Sequence, residues 1–146
     1  MRSTIGLIAL VAACLVTFAS PGLAASGSAT VKTRHGKLGT FLVDGRGRTL
    51  YLFEKDRTKK STCADACAKA WPPLTTKGRP KAAGAAKTSL LGTSKRADGT
   101  TQVTYKGHPL YFFVQDKKAG DTKGQNVDAF GAEWYVVSPA GKKIEG

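Results

Sequence analysis

The sequence predicts a mainly β protein: two tandem repeats of about four strands each, sharing one core through an approximate two-fold, with one short helix after the first repeat's motif. Three observations predict this. The stretch TLYLFEKD at residues 49–56 returns as PLYFFVQD at residues 109–116, both reading Tyr-x-Phe-x-x-Asp at a constant offset of sixty. Upstream of each, apolar or β-branched residues lead into a glycine-bearing turn, at residues 40–45 and 102–107. Downstream of each, after a polar stretch, stands a tryptophan, Trp71 in AKAWPPL and Trp134 in GAEWYVV.

In chain order, the first element is not part of the fold. Arg2 precedes an apolar run at residues 5–18, followed by small residues at Gly22 and Ala24. This is the pattern of a secretory signal peptide, and it places cleavage near Ala24-Ala25. The run is shorter than the ~20 residues a spanning helix needs, and Pro21-Gly22 closes it. Residues 11–14, VAAC, also fit a lipobox that would lipidate Cys14. Against lipidation, the apolar run continues past Cys14, where a lipoprotein turns polar. Without residues 1–24, a single β-domain over 25–146 is expected, with repeats at about 30–74 and about 89–138.

Within the first repeat, alternation puts Tyr51 and Phe53 on one face of a strand and Leu50 and Leu52 on the other. Both faces are apolar, so the strand is predicted to be central and covered on both sides. The second copy sets Tyr111 and Phe113 against Leu110, Phe112 and Val114. Asp56 and Asp116 fall where the apolar runs stop, where a carboxylate can accept backbone N–H bonds of the following turn. Thr62-x-x-Asp65 fits a capping box for a short alanine-containing helix that Pro72 stops. Residues 75–88, TTKGRPKAAGAAKT, show no apolar period and read as a flexible connection. Asp98-Gly99 signals a hairpin, and residues 133–138 read as a last long strand. A repeat of about 50 residues is marginal alone, which is why a shared core is expected.

Several motifs agree in order with one known family. The doubled Tyr-x-Phe-x-x-Asp, the segment Cys63-x-x-x-Cys67-Ala-x-x-Trp71-Pro-Pro-Leu, and the Gly120-Asp121-x-x-Gly124 stretch leading to Trp134-Tyr-Val-Val resemble the bacterial secreted-repeat family. Its members are predicted lipoproteins with a Yx(FWY)xxD motif. The resemblance spans about residues 30–138. It implies export and a tandem architecture, and it brings no biochemical activity, since the family has none established.

The mature chain holds two cysteines, Cys63 and Cys67, and export places them in an oxidising compartment where pairing is the default. The spacing is not Cys-x-x-Cys, and His35 and His108 do not complete a four-ligand zinc set. A structural disulfide is therefore expected, with one cysteine at the helix entrance. Residues 116–128 offer Asp116, Asp121, Asn126 and Asp128 as oxygen ligands, but their spacing is not that of an EF-hand, and three lysines interrupt them. Copper, zinc and covalent haem lack ligands in a mature chain without methionine, so no cofactor is expected. There is no Gly-x-Ser-x-Gly elbow; paired carboxylates exist only across the repeats, Asp56 with Asp116, and an enzyme is not expected.

Two readings of function lead, ahead of a third, a weak enzyme using Asp56 and Asp116 or the cysteines. The formal charge is +13, or +12 once Arg2 is removed, shared as +6 in residues 25–75 and +6 in 76–146. In an exported, non-enzymatic β-repeat protein this favours association with anionic cell-wall or matrix polymers or a membrane surface. No motif points to specific nucleic-acid recognition. The alternative is a small-ligand or redox-partner protein using Tyr51, Phe53, Trp71, Tyr111, Phe113 and Trp134 at the repeat junction. Burial of those rings separates the two.

Overall fold

The computed structural model describes residues 27–146; the predicted signal peptide and Cys14 lie outside the described residues. The strands are β1 (Thr30–Gly36), β2 (Gly39–Asp44), β3 (Tyr51–Phe53), β4 (Lys81–Ala82), β5 (Leu91–Lys95), β6 (Thr101–Tyr105), β7 (His108–Pro109), β8 (Val127–Ala129) and β9 (Ala132–Val136), with one α-helix, α1 (Ala66–Ala70), and a 3-10 turn at Thr88–Leu90. They form three three-stranded sheets, ordered β2-β1-β4, β3-β9-β8 and β5-β6-β7. The mainly β class and the single short helix are as the sequence predicts.

Each repeat opens with a hairpin. β1 and β2 pair from Val31↔Asp44 to Gly36↔Gly39, and β5 and β6 pair from Leu91↔Tyr105 to Lys95↔Thr101. The second closes where Asp98-Gly99 marked it. Gly99 takes a positive φ, and the Asp98 carboxylate accepts bonds from the backbone N–H and hydroxyl of Thr100.

The repeats then exchange strands. β3 of the first repeat pairs antiparallel with β9 of the second, Tyr51 opposite Val136 and Phe53 opposite Trp134. The reverse exchange is shorter: Tyr111 bridges Pro73, Leu74 N–H donates to Leu110 C=O, and Phe112 N–H donates to Pro72 C=O. Proline has no N–H to give a ladder, which keeps this second pairing to a bridge. Between the exchanges, Tyr51 and Tyr111 each donate a backbone N–H to the other's carbonyl, at 2.9 and 3.0 Å. These reciprocal bonds join the two copies of the motif at their matching tyrosines.

Because side chains alternate along a strand, this central ribbon feeds two apolar clusters. One holds Phe41, Val43, Tyr51, Phe53, Trp71, Tyr111, Phe113, Trp134 and Val136 with the two cysteines. The other holds Val31, Leu42, Leu50, Leu52, Leu74, Val103, Tyr105, Leu110, Tyr135 and Val137. Each draws on both repeats, and the predicted facing of Tyr51 and Phe53 against Leu50 and Leu52 is observed.

Four expectations need correction. The second copy of the motif is not a full strand: only His108–Pro109 and the Tyr111 bridges pair, and Val114 is exposed. The capping box does not form. Asp65 precedes α1 at φ 55° without a side-chain cap, and the Thr62 hydroxyl donates to Asp56 instead. The last strand has a partner the sequence reading lacked, β8, joined through Phe130-Gly131, both at positive φ. Finally, residues 75–88 are bonded along their length. Thr75 bridges Gln102, Thr76 N–H donates to Thr101 C=O, β4 runs parallel to β1, and Ala85 N–H donates to the Thr33 hydroxyl.

Candidate functional site at the repeat junction

The motif tyrosines and aspartates pair across the repeats. Tyr51 Oη donates to Asp116 Oδ2 at 2.6 Å, and Tyr111 Oη donates to Asp56 Oδ2 at 2.5 Å. Each aspartate also accepts a backbone N–H from the loop after its own strand, Asp56 from Thr62 and Asp116 from Lys123. The predicted turn bonds therefore form, and the same carboxylates tie each repeat to the other. Asp56 and Asp116 thus serve as acceptors for tyrosine, each in its own exit loop.

The two halves differ in the groups that complete each pair. Tyr111 Oη lies 2.7 Å from Ser61 Oγ, which is linked to Arg96, whose guanidinium also donates to Gln102 Oε1 and the Cys63 carbonyl. Tyr51 Oη accepts the Gly124 N–H at 3.2 Å. Gly124 is forced by packing. A Cβ there would lie 2.8 Å from Trp71 ring carbons and 2.8 Å from a Tyr51 ring carbon. Ser61, Gly124 and Arg96 escaped the sequence reading because their roles depend on the opposite repeat. Only Gly124 left a signal, in the Gly-x-x-x-Gly spacing of its loop.

Electrostatics follows from this burial. Burial first, and the adjacent Asp116 carboxylate second, push the Tyr51 hydroxyl far above its ordinary value. Burial and the Asp56 bond do the same to Tyr111. Burial also raises Asp116 from its ordinary carboxylate value, against the opposing pull of the Tyr51 hydroxyl and the Lys123 N–H. Asp56 is 6% exposed, whereas Asp116 is only partly buried.

The aromatic rings form one stack. Trp71 and Trp134 lie face to face with centroids 3.9 Å apart, Phe53 stacks on Trp134 at 4.0 Å, and Phe113 stacks on Trp71 at 4.1 Å. Each phenylalanine thus packs on the other repeat's tryptophan. Tyr51 meets Trp71 edge-on at 5.4 Å, and Tyr111 meets Trp134 edge-on at 5.1 Å. All six rings are buried. The rings on which a ligand-binding reading depends are therefore occupied with one another.

Cys63 and Cys67 are disulfide-bonded, Cys63 before α1 and Cys67 within it. The α1 that carries Cys67 leads directly into Trp71. Among the described residues, no group of three or more His, Cys, Asp or Glu is placed to hold a metal. Of the four oxygen donors in residues 116–128, Asp116 takes the Tyr51 and Lys123 bonds, and Asp121 accepts the N–H groups of Lys117 and Lys118.

Strand exchange, crossed tyrosine–aspartate pairs and a crossed ring stack define a tandem β-repeat protein whose signature residues form the joint between its halves. The profile of a family described as a secreted repeat of unknown function matches twice, at residues 32–75 and 92–138. The chain belongs to that family. Comparisons with curated proteins and with solved structures give no match. No helix among the described residues is long and apolar enough to cross a membrane.

Proposed function

We propose that this protein is an exported, non-enzymatic β-repeat protein whose basic surface associates with anionic envelope polymers. One observation carries the reading: every residue of the doubled motif is engaged in joining the repeats, which leaves surface charge as the property turned toward partners. That charge is available. Among the described residues only Arg48 and Lys143 are ion-paired with carboxylates. The other lysines and arginines leave a positive field for polyanions. The small-ligand alternative draws less support, because its aromatic residues are buried in the stack.

The test is retention on an immobilised polyanion such as heparin in rising salt. Elution above about 0.15 M salt is expected; elution well below it removes the reading. Tyr111→Ala and Asp116→Ala supply the second arm. Both are expected to lower stability, with polyanion retention lost only where folding is lost. Loss of retention in a fully folded variant would assign the motif a binding role.

A further inference from the structure

We propose that an anionic polyol phosphodiester chain binds in a basic trough between the connecting segment and the β5–β6 hairpin, with Lys77 and Arg79 meeting its phosphates. The inference rests on the polyanion reading above and gives it a location. Its first support is local charge. Although the two halves of the chain carry equal charge, residues 66–97 contain no acidic residue and seven basic ones. Four of the seven, Lys77, Arg79, Lys81 and Lys87, stand on the connecting segment and are exposed.

The second support is shape. A cleft of about 540 Å³ is lined by Lys77, Arg79, Thr88, Thr93 and Thr101 over a floor that includes Leu91. A second, of about 510 Å³, adds Thr75 and Thr100 and shares Lys77 and Thr101 with the first, so the two are contiguous. Neither contains an acidic lining residue. Three other clefts do: Asp65 and Asp98 beside Cys63, Asp116 beside Phe112, and Glu54 and Glu145 beside His108. Asp98 stands at the edge of the second cleft, holding the Thr100 N–H and hydroxyl, so the cations that face open space with no carboxylate in the lining are Lys77 and Arg79 of the first. Among the described residues, neither Lys77 nor Arg79 is ion-paired, and neither donates a side-chain hydrogen bond.

The third support is preorganisation. Thr76 is buried, and its hydroxyl accepts the Ala29 N–H and lies 2.6 Å from the Gly78 carbonyl. Lys81 N–H and Ala83 N–H donate to Ala29 and Val31. The backbone bearing the cations is held before any ligand arrives, which lowers the ordering cost of binding. Threonine hydroxyls between cations suit a chain that alternates hydroxyls with phosphates. No aromatic side chain lines either cleft, so nothing there would stack a nucleobase. The exposed large apolar side chains, Val114 and Phe130, lie outside the trough, so it offers no anchor for lipid.

The experiment measures binding of a synthetic glycerol phosphate oligomer to the mature protein, to Lys77→Gln/Arg79→Gln, and to a control of equal charge loss, Lys37→Gln/Lys123→Gln. All four side chains are exposed, and an unchanged unfolding midpoint verifies each variant. The trough variant is expected to raise Kd about tenfold with a shallower salt dependence, and the control less than about twofold. Equal weakening in both variants overturns the trough while leaving the polyanion reading in place. Failure of the unaltered protein to bind this oligomer or any other polyanion overturns both. Binding of single-stranded DNA or anionic phospholipid vesicles as tight as that of the oligomer, at matched salt, overturns the ligand class.

Discussion

Replacing Tyr111 with phenylalanine removes a single oxygen from the junction while keeping its ring against Trp134. The carboxylate it deserts, Asp56, is 6% exposed and keeps two donors, the N–H and hydroxyl of Thr62. Water reaches that position poorly, so the lost bond to a charged acceptor is not replaced, and the cost is about 2–3 kcal/mol. Tyr51→Phe deletes the same atom; water can replace it at Asp116, which is partly open to solvent, and the further loss is the long 3.2 Å bond from the buried Gly124 N–H, so about 1–1.5 kcal/mol is expected. Urea unfolding with the disulfide intact reads the difference. With a slope of about 2 kcal/mol per molar, Tyr111→Phe lowers the midpoint by roughly 1 M or more and Tyr51→Phe by about half that. A cycle with Asp56→Asn isolates the pair, with a coupling of about 1–3 kcal/mol expected. Equal losses for the two tyrosines, or a coupling near zero, would refute the claim that burial of the acceptor sets the value of the bond.

The buried tyrosines also fix the alkaline behaviour. Their folded values are raised above the unfolded one, so the unfolded chain releases protons first, and stability present below about pH 10 is lost as pH rises. Each contributes a slope of about 1.4 kcal/mol per pH unit, and either Phe variant is expected to flatten the urea midpoint against pH accordingly. Gly124→Ala is expected to cost about 1–3 kcal/mol by overpacking Trp71 and Tyr51, seen as a lower unfolding midpoint with altered tryptophan fluorescence. Cys63→Ser/Cys67→Ser opens only a small loop and is expected to cost about 2 kcal/mol while leaving the native circular dichroism intact; unfolding of the double variant would show that the bond does more than restrict the unfolded chain.

Local chemistry made part of this legible. Alternation along residues 50–53 gave the two faces of β3 correctly, because a strand's side chains must alternate whatever lies opposite. Asp98-Gly99 located its hairpin for the same reason: a tight turn is chosen by its own residues. The partners of the motif were not legible. Tyr51 meets Asp116 and Tyr111 meets Asp56 because the halves exchange strands, a long-range fact that no window of sequence contains. Thr62 matched a capping box, but the Asp56 carboxylate took both its N–H, which Asp65 would have accepted, and its hydroxyl. Residues 75–88 had the composition of a tether, yet a single buried threonine and a two-residue parallel pairing hold them down. The Phe130-Gly131 turn was missed because phenylalanine is a rare occupant of positive φ.

The exchange of strands changes what the covalent link between the repeats is for. Neither half contains the strand that completes its own ribbon, so each is to the other what one subunit is to its twin in an intertwined dimer. The connecting segment then acts on concentration: it keeps the complementary half in reach at an effective level in the millimolar range. A chain nicked at the exposed Gly84 is expected to remain one particle in size-exclusion chromatography and to separate only on denaturation. A chain whose connection is cut too short to span the joint is expected to find its missing strand in a second copy and run as a dimer.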